Sequence, residues 1–157
     1  MATLYGQEYH IVPLVAAQQL TAITTGPGIN SGLFGHIQFV IALGDCATAS
    51  FTLTVECSAV TALTTTTALA FNYRVSAAAG TDTMGAVTAA TSSGIVLTHT
   101  AYDNMIVLVD IDSAELTAAK PYVGVVMTDP GTATAYAAIL AICKPRYPQA
   151  VPTLALT

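Results

Sequence analysis

The sequence predicts an all-β chain, a β-sandwich or jelly-roll-like barrel of about eight strands with extended N- and C-terminal arms. Three observations carry that expectation. Apolar residues recur with period two in short segments, Gly, Asp, Pro and Thr clusters separate those segments, and helix signals are weak. The 157 residues suit one domain, read here as a core domain over 9–144 between arms at 1–8 and 145–157.

Along the chain, 10–16 is the first strand candidate. The stretch 13–23 is rich enough in Ala and Gln to suit helix or strand, and Thr24-Thr25-Gly26-Pro27-Gly28 closes it as a loop. The clearest strand is 51–57, where Phe51, Leu53, Val55 and Cys57 point one way and Thr52, Thr54 and Glu56 the other. Segment 69–76 repeats the pattern, with Leu69, Phe71, Tyr73 and Val75 inward and Asn72, Arg74 and Ser76 outward. Between them, Thr64 to Thr67 suit a hairpin loop or an edge strand offered to a partner, because Thr favours extended backbone and bonds locally through its hydroxyl.

Segments 37–43, 105–111, 122–127 and 135–143 are continuously apolar, as strands buried on both faces are. A shorter strand is expected at 95–98. Turns are expected at Gly44-Asp45, Gly80-Thr81-Asp82, Tyr102-Asp103-Asn104 and Asp129-Pro130-Gly131. Residues 112–119 suit a single helical turn with Asp112 or Ser113 as N-cap and Glu115 in its first turn.

Beyond 144, Pro145, Pro148 and Pro152 forbid helix and central strand, so the chain runs extended. Its apolar residues leave two readings open: a tail folding back over its own domain, or an arm docking on a neighbouring subunit. The residues placed to dock in the second reading are Arg146, Tyr147, Val151, Leu154 and Leu156.

Charge is scarce. Charged residues make up 8% of the chain, against about 25% in soluble domains, and 54% of it is apolar. The only basic residues are Arg74, Lys120, Lys144 and Arg146. Such a chain has too little charge to cover a monomer's surface, which points to an assembly component whose Ala, Thr and Val faces meet neighbours. The net charge of −5 and the lack of a basic patch exclude ordinary phosphate-driven nucleic-acid binding. No apolar run approaches the roughly 18 residues of a spanning helix, and no basic n-region precedes an apolar segment, so the chain reads as soluble and unprocessed, with no membrane partner. Cys46, Cys57 and Cys143 are odd in number and lack metal-site spacing. Cys57 and Cys143, inside apolar strand-like runs, read as small hydrophobes, in a chain made in a reducing cytosol.

No catalytic or phosphate-binding motif is present, and Gly26-Pro27-Gly28 lacks the strand-to-helix context and lysine of a phosphate loop. His10, His36 and His99 sit near strand ends without ligand spacing, so neither a metal nor a cofactor is expected. Asp110 and Asp112 share one face of a strand. Paired carboxylates can bind calcium or act as acid and base, but an Asp at a strand end more often caps the next turn, as Asp112 is placed to do.

The block Ala68-Leu69-Ala70-Phe71-Asn72-Tyr73-Arg74-Val75, then Gly80-Thr81-Asp82-Thr83-Met84-Gly85 and Thr88-Ala89-Ala90, resembles small structural proteins of tailed bacteriophages. Asp110-Ile111-Asp112-Ser113-Ala114-Glu115-Leu116, Pro121-Tyr122-Val123 and Pro145-Arg146-Tyr147 fit the same pattern, over most of residues 33 to 148. The resemblance is to head decoration, or cement, proteins. It implies a β-rich fold, often a homotrimer, no catalysis, and a place on the virion's capsid surface locking major capsid protein subunits together after synthesis in the bacterial host cytoplasm. The alternative is a tail or fibre-base module, possibly carbohydrate-binding. The absence of Trp, and the placing of most Phe and Tyr residues in strands, count against exposed sugar platforms.

Overall fold

Strict alternation in β5 (Ser50–Ser58) drives Phe51, Leu53, Val55 and Cys57 inward, each buried, and leaves Thr52, Thr54 and Glu56 half-buried on the other face. The same rule organises the whole computed structural model, which describes residues 8–48, 50–131 and 133–147. Its other strands are β1 (His10–Gln19), β2 (Thr24–Thr25), β3 (Ile29–Asn30), β4 (Phe34–Leu43), β6 (Thr67–Leu69), β7 (Phe71–Val75), β8 (Thr88–Ala90), β9 (Ile95–Thr98), β10 (Ile106–Asp112), β11 (Tyr122–Met127) and β12 (Tyr136–Pro145). Helix α1 (His99–Tyr102) and a 3₁₀ turn at Ser113–Glu115 are the described helical pieces.

The strands form two antiparallel six-stranded sheets. The first runs β1-β12-β4-β10-β7-β8. The second runs β2-β11-β5-β6, with β3 also on β11 and β9 also on β5. Pairing is nested. β1 pairs with β12, β2 and β3 with β11, β4 with β10, and β5 with β9, so the chain is a long hairpin rolled across both sheets. That is the connectivity of a jelly roll. Between the sheets lie Phe34, Ile37, Phe39 and Ile41 of β4, Val107, Val109 and Ile111 of β10, and Ile139, Ala141 and Cys143 of β12, all fully buried. Full burial of each large side chain among them contributes roughly 1.5–3 kcal/mol.

The tip of the rolled hairpin, between β5 and β9, departs from the simple pattern. Segment 69–76, expected as one strand, breaks at Ala70: β6 ends on the second sheet against β5, and β7 begins on the first against β10. The chain returns through β8, which alternation in the sequence did not reveal, and turns into β9 at Gly94. Gly94 has φ +78°, and a Cβ there would lie 2.2 Å from the Leu53 carbonyl oxygen, so the turn depends on glycine.

Other local expectations resolve by pairing. The ambiguous stretch 13–23 is mostly strand, because β12 gives β1 a partner as far as Gln19, across two register shifts. The expected loop at 24–28 carries the two-residue β2 at its start, and β3 follows it. The helical turn expected at 112–119 shrinks to Ser113–Glu115. Asp112 occupies the N-cap position but makes no capping bond, since its carboxylate is engaged elsewhere.

The largest correction concerns the continuously apolar strands. They are not buried on both faces. One face of each enters the core and the other is turned to the outside, where side chains are half-buried or exposed. Three of the four, β12, β4 and β10, lie side by side.

Candidate interaction surface

The outer face of the first sheet is built by register. Across β12, β4 and β10, Leu140, Val40 and Leu108 form one row, and Ala138, Ala42 and Ile106 the next. Pro13 of β1 extends the first of these rows beyond Leu140, and Arg74 of β7 ends it beyond Leu108. A third row runs Ile11, Ile142, Gln38, Asp110, Asn72. Ile11 is 52% exposed, Ile106 39% and Leu140 36%, while Val40, Leu108 and Ile142 are half-buried by their sheet neighbours. The patch therefore spans adjacent strands and is apolar through its middle. Sandwich sheets ordinarily present polar residues there.

One end of this face is polar, in a row of Lys144, His36 and Asp112. His36 Nδ1 lies 3.2 Å from Asp112 Oδ1, and its Nε2 lies 3.2 Å from Asp110 Oδ1, which also accepts a 2.9 Å bond from Gln38 Nε2. Each ring nitrogen of His36 thus faces a carboxylate oxygen, one from each aspartate. These residues lie far apart in the chain, and no spacing rule finds them. The paired aspartates do share one face, as alternation predicts, yet their partner is a histidine more than seventy residues away, which displaces the capping role expected of Asp112. Among the described residues, no group of three or more His, Cys, Asp or Glu side chains is placed to hold a metal ion.

Of the residues expected to dock a partner, Arg146 is engaged within its own chain. Its Nε donates to the Phe34 carbonyl (3.3 Å) and its Nη2 to Ser113 Oγ (2.9 Å), fastening the end of β12. Tyr147 beside it is 76% exposed. Val151, Leu154 and Leu156 lie outside the described residues, as do residues 1–7 of the N-terminal arm.

The second sheet treats its outer face differently. Thr52, Thr54 and Glu56 line it, and Thr54 Oγ1 donates to Glu56 Oε1 at 3.0 Å. The loop after β5 folds back across it and seats Leu63, only 8% exposed, over Gly28 and Gly124. A Cβ at Gly124 would lie 2.5 Å from Leu63 Cδ1, so the glycines make the socket. Thr64 to Thr66 belong to this loop and Thr67 opens β6. The Lys120 ammonium clasps the segment through the Thr65 carbonyl and the Thr67 hydroxyl.

A hollow of about 380 Å³ opens between β7 and the α1 region, lined by Tyr73, Ser76, Tyr102 and Met105 among others. Burial and the adjacent Tyr73 push the Tyr102 phenol above its ordinary range, so it stays neutral near pH 7. The hollow carries no convergent charge. No helix among the described residues is long and apolar enough to cross a membrane. Comparisons with protein families, with curated proteins and with solved structures gave no match.

Proposed function

We propose that this chain is a structural virion protein of the head-decoration, or cement, type, which binds the outer surface of a capsid and stabilises the major capsid lattice. One observation carries the reading: the outer face of the first sheet is apolar across β1, β12, β4 and β10. A monomer seldom exposes a contiguous apolar patch of that breadth unless another surface covers it. The charge scarcity and the resemblance of residues 33 to 148 to phage structural proteins support the same reading.

The mechanism is mechanical. Neighbouring subunits, the major capsid protein and further copies of this chain, cover apolar and hydroxyl surface. Buried apolar area contributes about 25 cal/mol per Å² before association costs. Each contact is modest, and many copies acting on one lattice multiply them by avidity.

Purified protein mixed with undecorated capsids and pelleted with them tests this. The expected result is stoichiometric binding across the lattice. No binding refutes the reading, and a handful of copies at one vertex replaces it with a tail or fibre-base role.

A further inference from the structure

We infer that the apolar face of the first sheet pairs with the same face of a second copy, about a two-fold axis lying along β4. This rests on the reading of the chain as an assembly subunit and names the neighbour that covers this face. Two sheets stacked face to face through a two-fold can be related in two simple ways. With the axis across the strands, the polar row of one copy lands on the row of Ala138, Ala42 and Ile106 of the other, and Lys144 and Asp112 are buried against apolar groups. With the axis along β4, each row meets its own counterpart with β12 over β10.

The register then makes the face self-complementary. Lys144 of one copy stands over Asp112 of the second, and the reciprocal pair forms by symmetry. Leu140 meets Leu108, Ala138 meets Ile106, and Val40 meets Val40 on the axis. Asp110 faces Ile142 and Arg74 faces Pro13, but the Asp110 carboxylate is already satisfied by His36 and Gln38 within its own chain, and Arg74 stands at the rim of the patch. Strands about 4.8 Å apart and a two-residue repeat of about 6.8 Å give a patch of roughly 500–600 Å² per copy, so roughly 1,000–1,200 Å² in the pair, enough for a specific interface.

The charge distribution agrees. Arg74 and Lys144 lie on this face, with Asp110 and Asp112 as the carboxylates of its rows, two charges of each sign. Seven of the nine acidic residues lie elsewhere, among them Asp45, Glu56, Asp82, Asp103 and Asp129. A face that balances its own charges, on a chain whose net charge is −5, fits a copy of itself better than any strongly charged partner.

The test is the mass of the full chain in solution by light scattering, followed by variants. The wild type is expected at twice the 16.1 kDa chain mass. Val40→Asp places two carboxylates against each other on the axis and is expected to raise the dimer Kd roughly 100-fold with an unchanged β-rich circular dichroism spectrum. Lys144→Asp and Asp112→Lys should each weaken self-pairing about 5-fold, and an equimolar mixture of the two should form the heterodimer in preference to either homodimer. A monomer, a trimer, a dimer indifferent to Val40→Asp, or a mixture with no heterodimer preference overturns the pairing. Pelleting the same proteins with capsids separates the two claims. A monomeric wild type that coats capsids overturns the pairing and leaves the cement reading standing, whereas a dimer that leaves capsids bare does the reverse.

Discussion

The two outer faces of this sandwich solve the same problem in opposite ways. The second sheet covers part of itself: Thr52, Thr54 and Glu56 take the outward positions of β5, beside Val126 and the exposed Val96, and a loop returns to seat Leu63 over Gly28 and Gly124. The first sheet leaves Ile11, Pro13, Leu140, Val40 and Leu108 without such a loop among the described residues. The contrast separates surface spent on folding from surface that, in the proposed reading, is kept for association. Side chains on the covered face add to the stability of one chain, and those on the open face add little until a neighbour arrives.

The comparison breaks most sharply at Leu63. Replacing it with Ala empties the socket between two glycines and is expected to cost about 2–5 kcal/mol, read as a lower urea midpoint at unchanged slope. A loss below about 1 kcal/mol would mean that the loop is not a structural cover.

A second effect follows from β12, whose two faces differ as the sheets do. Lys144 points outward, whereas Cys143 is fully buried and its thiol is pushed up to about 12 by burial. The folded state therefore holds this proton more tightly than the unfolded chain, whose thiol titrates near 9. The associated stability is complete below pH 9 and falls by about 1.4 kcal/mol per pH unit from there towards pH 12. Denaturation midpoints at pH 8, 9.5 and 10.5 measure it. Cys143→Ala should flatten the decline, and an equally steep decline in that variant would assign the effect to other groups.

The smallest effect is expected on the open face. Leu108→Thr keeps β propensity and removes only a half-buried contact, so monomer stability should change by less than about 1 kcal/mol while assembly weakens. A loss as large as that of Leu63→Ala would mean that this face is already covered within the chain.

Much of the fold was legible in the sequence because alternation acts locally. Phe51, Leu53, Val55 and Cys57 enter the core as their spacing requires, and Cys143 is buried there too as its apolar run implies. Legibility ended where pairing decides. Continuous apolarity in β4, β10 and β12 has two causes, burial on both faces or an open apolar face, and only the strand order of the sheet tells them apart. The meeting of His36 with Asp110 and Asp112 depends on the β4–β10 register, which joins segments more than seventy residues apart. Asp112 looked like a helix cap because local sequence offers no competitor for its carboxylate, whereas the folded sheet supplies one. The break at Ala70 was hidden for a similar reason: 69–76 alternates without interruption, and the change of sheet needs partners from both.

The nested pairing also sets a timetable for synthesis. β1 finds its partner only in β12, with His10 opposite Cys143, and β12 is also the strand that lies between β1 and β4. At elongation rates of about 5–20 residues per second, β1 waits on the order of ten seconds on the ribosome before that partner is made. Through that interval Ile11, Val12, Leu14 and Val15 have no strand to join. β12, the last strand of the roll, closes it, so the first sheet is completed only once that strand has left the ribosome.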